Sequence, residues 1–401
     1  MKKLLILGMS LNVGGAEKSL VNLLNMIDYS QYDVDLLLFQ KKGAFLKQIP
    51  SEVNLIDDGC IRILFQSASE TLHSEKINMH VLKLIFIRYI ATLVNRIKWK
   101  QFDQIRLHRW MGWYKKVISC NKINYDVAVA YAGGDTAYYM IDKVQAERKV
   151  YFFHSDYSEI DIDANLERYY VDQADTIVTI SEVCKLSLDR LFPEKKADII
   201  VLSNLTSPKL IWSLSDEYIP NEFEIDENII KIVSVGRLNP IKGFDMAVEA
   251  AYMLKNKKYK FRWVIVGEGD ERKNLEDKIR QYHLENDFIL VGLKENPYPY
   301  ILKADVLLQT SRFEGKSVVL DEARILRKPA IITKYNSAHD QINDGVDGLI
   351  VEMNAEAIAN GIIRCIENAE LLEQWKENIF IDDSLQDVEG YLQCLMTGIN
   401  H

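Results

Sequence analysis

Short apolar runs alternate with amphipathic segments along most of the chain, and this alternation is the feature that most restricts its fold. Strands this short and this apolar are typical of a parallel sheet that helices cover on both faces. In the first half, amphipathic stretches such as Ala16–Met26, Leu166–Asp172 and Glu182–Leu191 predict those helices. The predicted strands of this half are Leu4–Met9, Val34–Phe39, Val53–Ile56, Val127–Tyr131, Val150–Phe153, Thr176–Ile180 and Ile199–Leu202.

The alternation breaks once, over residues 206–228, where Pro208, Pro220 and several acidic residues predict a linker. The strands predicted beyond it are Ile230–Val235, Trp263–Val266, Phe288–Val291, Val306–Leu308, Ala330–Thr333 and Gly348–Val351. A chain of 401 residues exceeds the size at which one hydrophobic core usually stops growing. We therefore predict an α/β protein with open sheets in two domains, 1–205 and 229–370, and a helical tail, 371–401, that returns to the first domain.

The composition disfavours several classes of protein. A net charge of −9 gives no reason to expect nucleic acid as the main partner. The five cysteines are scattered without C-x-x-C spacing, which disfavours a disulfide framework or a zinc site and suits a reducing cytosol. No apolar run approaches the roughly 18 residues of a membrane span, and the first run leads into a glycine turn instead of a signal-peptide cleavage site. We therefore expect a cytoplasmic protein.

Cationic and glycine residues follow the predicted strands of the second half where each strand ends. Ligands of open α/β sheets bind beyond these carboxyl ends. Gly236 and Arg237 follow one strand, and Lys242 comes shortly after them; a guanidinium and an ammonium together can hold a diphosphate without a metal. Glycine turns recur after the next two strands, at Gly267 and at Gly292-Leu293, where the backbone is predicted to approach a ligand such as a nucleobase.

Two glutamates, Glu314 and Glu322, stand eight positions apart after a further predicted strand. On a helix this separation corresponds to about 12 Å, too far for the carboxylates to share one proton. Between them, the backbone N–H groups of Gly315, Lys316 and Ser317 precede a predicted helix and form a place where an anion can bind. The pattern predicts one long ligand held at two points. A molecule in which a sugar, a diphosphate and a ribose follow one another would fit it.

The first half contributes weaker signals. Gly14-Gly15 opens a helix after the first strand, but the turn lacks the G-x-G-x-x-G spacing of dinucleotide sites and no Walker motif follows. His154 follows the strand Val150–Phe153, where an imidazole can hydrogen-bond a substrate hydroxyl or a leaving group. A structural role is the alternative for this histidine.

Taken together, these segments resemble the family-4 glycosyltransferases of GT-B architecture, in which two Rossmann-like domains face each other across a cleft. The resemblance covers nearly the whole chain, and its most specific part is the order Gly236-Arg237, Lys242-Gly243, Gly267-Glu268-Gly269 and the Glu314/Glu322 pair. It implies an acceptor-binding first domain, a nucleotide-sugar-binding second domain, and sugar transfer of hexosyltransferase type. Transfer is expected to retain the anomeric configuration and to need no metal or other cofactor.

The resemblance also implies roles for individual residues. Arg237 and Lys242 would hold the donor diphosphate and stabilise the departing nucleoside diphosphate. Glu314 would contact the transferred sugar and Glu322 the ribose. The backbone N–H groups around Ser317 and Val318 would bind the distal phosphate. His154 would line the sugar and acceptor side, and Gly15 would let donor and acceptor approach each other.

One part of the motif departs from the commonest family pattern. Many members have a small-aromatic-small sequence after the first glutamate, whereas this chain has Gly315-Lys316-Ser317, and the role of Lys316 stays open. Glu-Gly-Lys-Ser, with the segment 337–341 further on, resembles the bacterial branch that makes capsules and cell-surface polysaccharides. That likeness implies a lipid-linked glycan as acceptor, and we expect a UDP-linked sugar as donor.

Residues 72–116, the basic segment, carry ten lysines and arginines against only Glu75 and Asp103. Apolar and aromatic residues interleave with these charges, which is typical of helices that lie on an anionic membrane surface. We therefore expect peripheral binding at the inner face of the plasma membrane. The alternative is that the apolar residues pack on the N-terminal sheet and the charges face solvent. Nucleic-acid binding is not expected, because no recognised motif accompanies the charges.

Two other functions stay open on the sequence alone. The same two-domain scaffold could serve a sugar-nucleotide epimerase or a phosphorylase. A non-catalytic subunit that binds nucleotide sugars is the other alternative, and the joint presence of Glu314, Glu322, Arg237 and Lys242 argues against it.

Overall fold

The computed structural model describes residues 1–12, 14–67, 70–71, 78–100, 102–154, 164–225, 228–381 and 387–399. The chain forms two compact units, one of Met1–Leu205 with Asp387–His401 (unit 1) and one of Thr206–Gln386 (unit 2). Each unit is built on its own parallel sheet, which confirms the predicted α/β class. Every strand predicted from the apolar runs is present, and the ends agree within two residues except at two starts: the strands Asn124–Ala130 and Gln145–Phe153 begin three and five residues earlier than predicted.

Unit 1 contains a seven-stranded sheet in the order β3-β2-β1-β4-β5-β6-β7, as far as its residues are described. Its strands are β1 (Lys2–Gly8), β2 (Tyr32–Leu38), β3 (Asn54–Ile56), β4 (Asn124–Ala130), β5 (Gln145–Phe153), β6 (Thr176–Thr179) and β7 (Ile199–Val201). Its helices are α1 (Gly15–Met26), α2 (Gly59–Phe65), α3 (Met79–Lys98), α4 (Phe102–Arg109), α5 (Lys115–Val117), α6 (Asp135–Lys143), α7 (Ala164–Val171) and α8 (Glu182–Leu191). A π-helical turn, Trp110–Tyr114, joins α4 to α5.

The buried parts of the strands of unit 1 are mostly apolar because both faces of the sheet are covered. Successive residues of β1 alternate between two hydrophobic clusters: Leu4 and Ile6 belong to one, Leu5 and Leu7 to the other. Side chains of a strand point to opposite faces in turn, so a strand buried on both sides has few polar positions. This period explains why the sequence predicted these strands correctly.

Unit 2 contains a six-stranded sheet in the order β10-β9-β8-β11-β12-β13 within the described residues. Its strands are β8 (Ile230–Val235), β9 (Phe261–Val266), β10 (Phe288–Gly292), β11 (Val306–Gln309), β12 (Ala330–Thr333) and β13 (Gly348–Val351). Its helices are α9 (Pro208–Ser215), α10 (Phe244–Asn256), α11 (Arg272–Gln281), α12 (Tyr298–Lys303), α13 (Val318–Ile325), α14 (Ala355–Glu367) and α15 (Ala369–Asn378).

The strand order of unit 2 reverses between β8 and β11, which are hydrogen-bonded neighbours. The chain builds β9 and β10 outward on one side of β8, and then β12 and β13 outward on the far side of β11. Such a reversal opens a crevice beyond the carboxyl ends of the two central strands, and ligands of open α/β sheets bind there. The loops that carry Arg237 and Glu314 follow these two strands.

The prediction of a linker at 206–228 is wrong for those of its residues that the structure describes. They begin with α9, whose N-cap Ser207 accepts a hydrogen bond from the N–H of Leu210, and α9 packs on α12 and α13. Ile211 and Phe223 are buried in a hydrophobic cluster of unit 2. The prolines that suggested a linker instead lie at the start of α9 and before a short 3-10 turn, Asn221–Phe223, and prolines are well tolerated at helix starts.

The predicted tail, 371–401, divides between the units. The α15 helix buries Leu372 and Trp375 in unit 2, so the boundary placed at residue 371 is wrong for this helix. A last helix, α16 (Val388–Thr397), belongs to unit 1 and buries Tyr391, Leu392 and Leu395 in one of its clusters. The predicted return of the chain to its first domain is therefore confirmed for α16.

None of the helices in the described ranges has both the length and the apolar character needed to cross a membrane.

The packing of α16 generates a stability prediction. We expect Leu392→Ala to lower the free energy of unfolding of unit 1 by about 2–5 kcal/mol, because it leaves a cavity at a fully packed position. Urea unfolding followed by a probe in each unit measures this change, and unit 2 should unfold as before. Gln393→Ala, at the exposed neighbouring position, is the matched control. An unchanged transition of unit 1 in Leu392→Ala would show that α16 does not pack on it.

Candidate functional site

Two loops of unit 2 are joined at the point where the strand order reverses. One follows β8 and the other follows β11. The Arg312 guanidinium donates to both carboxylate oxygens of Asp245, at 2.8 and 2.7 Å, and to the carbonyl oxygen of Pro240 at 2.7 Å. This pairing raises the pKa of Arg312 and lowers that of Asp245. The Thr310 hydroxyl donates to the carbonyl oxygen of Lys242 at 3.0 Å, so the loop after β11 holds the backbone of the loop after β8.

The joined loops bring two of the predicted site residues into direct contact. Lys242 Nζ lies 2.5 Å from Glu314 Oε1, and both side chains are mostly shielded from solvent. The same carboxylate oxygen accepts hydrogen bonds from Gln309 Nε2 at 2.8 Å and Ser311 Oγ at 2.7 Å. Glu314 is therefore held in one position by three donors, an arrangement that preorganises a carboxylate for ligand contact.

Gln309 and Ser311 were missed by the sequence analysis. Both are buried and lie at the carboxyl end of β11, where a run of apolar residues changes to Gln-Thr-Ser. That change of polarity at a strand end was the available signal. The charged residues that follow give a stronger sequence signal than this change of polarity.

The glycines at three strand ends are needed for close approach of the backbone. A Cβ at Gly236 would lie 3.3 Å from Cε of Lys242, so the lysine stem packs directly on this glycine. Gly267 has a φ of +158°, and a Cβ there would lie 1.8 Å from the carbonyl oxygen of Gly236. Its N–H donates to the carbonyl oxygen of Gly292 at 2.9 Å. The structure thus brings together the glycines that the sequence placed at successive strand ends.

The backbone at Ser317 is already engaged by a side chain. Its N–H donates to Gln341 Oε1 at 2.9 Å, and Gln341 Nε2 donates to its carbonyl oxygen at 3.0 Å. Of the two N–H groups predicted for the distal phosphate, that of Ser317 is therefore occupied in this structure. Val318 is the first residue of α13, and the first N–H groups of a helix have no acceptor within it. Ser337 Oγ donates to the carbonyl oxygen of Glu314 at 2.8 Å and orders the same loop.

Glu322 is buried in the interior of unit 2. Its Oε1 accepts a hydrogen bond from the Tyr298 hydroxyl at 3.3 Å. Burial, reinforced by the nearby carboxylate, raises the pKa of Tyr298 well above its usual range, so this hydroxyl stays protonated and remains a donor. The predicted contact of Glu322 with a ribose stays a prediction.

The remaining donor-site residues differ in exposure. Arg237 is exposed at the end of β8, and no ion pair of its guanidinium is seen within the described ranges. Leu293 is exposed next to Gly292, whereas Gly315 is buried and Lys316 is half-buried. An exposed guanidinium after β8 and an exposed apolar side chain after β10, with β9 between these strands, suit a phosphate and a nucleobase, respectively.

In unit 1, His154 and the Gly14-Gly15 turn lie near the same tyrosine. The Tyr131 ring centroid is 4.9 Å from that of His154, and its hydroxyl is 2.7 Å from Ser19 Oγ in α1, the helix that begins at Gly15. Both ring nitrogens of His154 are buried without a hydrogen-bond partner in the described part of the chain. Burial lowers the pKa of His154 to about 4, and the backbone of Tyr131 opposes this shift only in part.

Comparisons with known proteins show similarity to glycosyltransferases. A family model described as glycosyl transferases group 1 matches residues 215–380. The N-acetylgalactosamine-N,N'-diacetylbacillosaminyl-diphospho-undecaprenol 4-alpha-N-acetylgalactosaminyltransferase of Campylobacter jejuni is 26% identical over 94% of this chain and 93% of its own length. An uncharacterized 41.2 kDa protein in the cps region of Klebsiella pneumoniae is 27% identical over 75% of this chain and 77% of its own.

Solved structures share the fold over the full length. HepE of Anabaena in complex with UDP has a TM-score of 0.64 at 18% identity and covers 98% of this chain and 100% of its own. A TarM mutant of S. aureus, solved with fondaparinux, alpha-GlcNAc-glycerol and UDP, has a TM-score of 0.68 at 15% identity, with coverages of 99% and 100%. These neighbours show that the chain has the GT-B fold, and the family model and the Campylobacter transferase show that it is similar to the group 1 glycosyltransferases.

Proposed function

We propose that the chain is a retaining glycosyltransferase that moves a sugar from a UDP-sugar to a lipid-linked glycan during synthesis of a surface polysaccharide. The observation that carries this proposal is the Lys242–Glu314 pair at the reversal of strand order, with the exposed Arg237 beside it. The Campylobacter relative is named for transfer to a diphospho-undecaprenol-linked acceptor, and the Klebsiella relative belongs to a cps region. Two fold neighbours were solved with UDP, which supports the choice of donor.

The two cations would hold the donor diphosphate. In the structure Lys242 is paired with Glu314, so binding of a diphosphate would draw the ammonium toward the phosphates. Glu314 keeps its hydrogen bonds from Gln309 and Ser311 during that movement and is not left as an unpaired charge. The flexible stem of a lysine allows such an exchange of partners, whereas Arg237 offers a planar fork that suits two phosphate oxygens.

The reaction would place new negative charge on the departing diphosphate. The bond between the anomeric carbon and the phosphate oxygen breaks, and an acceptor hydroxyl oxygen bonds to that carbon on the same face. The hydroxyl proton passes to the departing phosphate, so the products are the glycoside and UDP. Arg237 and Lys242 would stabilise this charge as it develops, which is how fixed cations lower the barrier of such a step. The proposal includes no metal ion or other cofactor.

The carboxylates would position the donor. When ionised, Glu314 can only accept hydrogen bonds, so its free accepting capacity would be directed at sugar hydroxyls. Glu322 would hold the ribose hydroxyls in the same way, next to Tyr298. The spacing of these residues along the chain would therefore select a ligand with hydroxyls at both ends of a diphosphate.

His154 would act as a neutral hydrogen-bonding group on the sugar and acceptor side. Its lowered pKa keeps the imidazole uncharged at neutral pH, so it can donate from one nitrogen and accept at the other. Gly15, exposed as the first residue of α1, would let donor and acceptor come close to the backbone.

The proposed place of action is the inner face of the plasma membrane, because a lipid-linked acceptor lies in a membrane and nucleotide sugars are cytoplasmic. An anionic membrane surface is the proposed partner of the basic segment, whose residues 72–77 and 101 lie outside the described part of the chain. The relative with a named activity is a transferase and not an epimerase or a phosphorylase, and no observation favours a non-catalytic subunit.

Slow hydrolysis of the donor tests the proposed reaction. Incubated with a panel of nucleotide sugars, the protein should release UDP from at least one UDP-sugar, and NMR of the freed or transferred sugar should show the donor's anomeric configuration first. Lys242→Ala is the low-activity control. Release from a guanosine-linked sugar alone would overturn the choice of donor, and an inverted product would overturn the retaining mechanism.

Calorimetry with UDP tests the diphosphate clamp. Arg237→Ala and Lys242→Ala should each weaken UDP binding by about 10- to 100-fold, because each removes a charge-assisted hydrogen bond to phosphate. Lys242→Ala should be the more harmful, since it also leaves the Glu314 carboxylate beside the phosphates without its cation. Adding Glu314→Gln to Lys242→Ala should then recover part of the affinity.

The matched control for these variants is Lys255→Ala. This lysine lies near the end of α10 and pairs with Asp287, away from the loops after β8 and β11. UDP affinity that is unchanged in both Arg237→Ala and Lys242→Ala would remove these residues from the donor site.

The pH dependence of stability tests the state of His154. A histidine in the unfolded chain has a pKa of about 6.5, and that of folded His154 is about 4. The unfolded chain therefore binds the proton first, so this residue has no effect above about pH 6.5 and destabilises the fold increasingly as the pH falls toward 4. We expect His154→Gln to reduce the loss of unfolding free energy between pH 7 and pH 4.5 by about 2 kcal/mol. The control is His339→Gln, at an exposed position, whose stability should depend on pH as that of the parent protein does. If both variants show the same pH dependence of stability, the buried neutral state of His154 is contradicted.

A further inference from the structure

The α3 helix has apolar residues on two opposite faces. One face, with Val81, Leu84 and Ala91, is buried in the core of unit 1. Large apolar residues on the opposite face are exposed to solvent: Met79 (82%), Leu82 (45%), Phe86 (64%), Tyr89 (66%), Leu93 (45%) and Ile97 (77%). A helix that only covers a sheet has polar residues on its outer face, so this exposed stripe needs another explanation.

The exposed stripe is narrow and continuous. Its residues recur at intervals of three or four, so at 100° per residue they fall within an arc of about 80° on the helix. From Met79 to Ile97 the stripe runs for roughly 27 Å at 1.5 Å per residue. Six large side chains in one row form a linear apolar ridge and not a set of scattered surface residues.

The charged residues of α3 itself are all basic. The residues from Met79 to Lys98 include no aspartate or glutamate. At the same 100° per residue, Lys83 and Arg96 lie on either side of the stripe, and Lys98 and Lys100 follow at its carboxyl end, all exposed. A row of apolar and aromatic side chains flanked by cations is complementary to a surface with an apolar interior and anionic groups at its boundary.

The buried face of α3 packs on the core of unit 1, and side-chain contacts order both ends of the helix. The Asn78 side chain accepts a hydrogen bond from the N–H of Val81 at the start of α3. At its end, the Trp99 ring stacks on that of His108 in α4, with centroids 4.1 Å apart. The stripe is therefore presented by a fixed helix, so binding would not have to order this segment.

Other cations of the basic segment are used inside unit 1. Arg109 pairs with Asp135 at 3.3 Å, and Lys115 pairs with Asp142 at 2.6 Å. The Arg106 guanidinium packs against Gly134 and lies over the Tyr138 ring. The structure thus corrects the view of residues 72–116 as one basic surface, because the outward-facing part is concentrated on α3.

We infer that α3 is a docking helix whose exposed stripe inserts into the boundary of an anionic lipid layer, with Lys83, Arg96, Lys98 and Lys100 at the level of the headgroups. The inference deepens the proposed function, because it names the surface by which the enzyme would reach a lipid-linked acceptor. It rests on α3 alone and not on the donor site in unit 2.

Charge argues against a second copy of the chain as the occupant. Two α3 helices packed stripe to stripe would bring their cations together, and neither helix has a carboxylate to pair with them. Like charges across an interface are unfavourable, whereas phospholipid headgroups supply the missing anions.

Flotation with lipid vesicles tests the inference on the full chain. The protein should float with phosphatidylcholine vesicles that contain phosphatidylglycerol, bind pure phosphatidylcholine vesicles far less, and lose binding as salt is raised. Replacement of Phe86, Tyr89 and Ile97 by Ser should lower the partition coefficient by at least about tenfold. Reversal of Arg96, Lys98 and Lys100 to Glu should have an effect of similar size.

Two control variants match these changes in number and kind. Leu186, Ile219 and Phe380 are exposed apolar residues outside α3, and their replacement by Ser should leave flotation unchanged. Lys257, Lys258 and Lys260 are exposed cations of unit 2, and their reversal to Glu should have little effect. Urea unfolding followed by a probe in each unit checks that every variant is folded, and none of the positions lies in the donor site.

Each outcome decides the question. Loss of flotation in both α3 variants, with both controls unaffected, supports the docking helix. Failure of the parent protein to float, or unaltered flotation of the α3 variants, overturns it. If the parent protein is a dimer and the serine variant is a monomer with unchanged flotation, a second copy of the chain covers the stripe. Absence of UDP binding in the parent protein would instead count against the proposed function.

Discussion

The ion pair between Lys242 and Glu314 is the interaction on which the donor site depends. It connects the loops after β8 and β11, the two central strands where the order of the sheet reverses. A partly buried charge without a partner is costly, so each residue restricts where the other can lie. Because Gln309 and Ser311 also donate to the same oxygen, the carboxylate has a defined position whether or not the lysine remains on it.

A second set of contacts keeps these loops in place. Arg312 binds Asp245 across the two loops, and the Gln341 amide pairs with both backbone groups of Ser317. None of these side chains needs to contact a substrate. Their effect is on geometry: a small displacement of a positioning group can cost much of the catalytic rate, so the supporting contacts matter for function as well as for stability.

The cations of the basic segment lie in two different environments. Arg109 and Lys115 neutralise carboxylates of unit 1, whereas the cations of α3 face solvent beside an apolar stripe. The net charge of the segment does not distinguish paired cations from solvent-exposed ones. The difference arises because α3 packs on the core through one face only, and its other face has no neighbour in the described part of unit 1.

The sequence by itself determined the class of fold, the strands and the strand ends that carry the site, because burial on both faces of a parallel sheet leaves a local pattern of apolar residues. It also placed Arg237, Lys242 and Glu314 at strand ends that the structure puts next to each other. Only the tertiary structure decided that Lys242 pairs with Glu314, that Gln341 occupies the N–H of Ser317, and that Glu322 is buried beside Tyr298. The same is true of the assignment of α9 and α15 to unit 2. Such pairings join residues that are far apart in the chain, and the order of strands in the sheet, which no local pattern encodes, decides which of them meet.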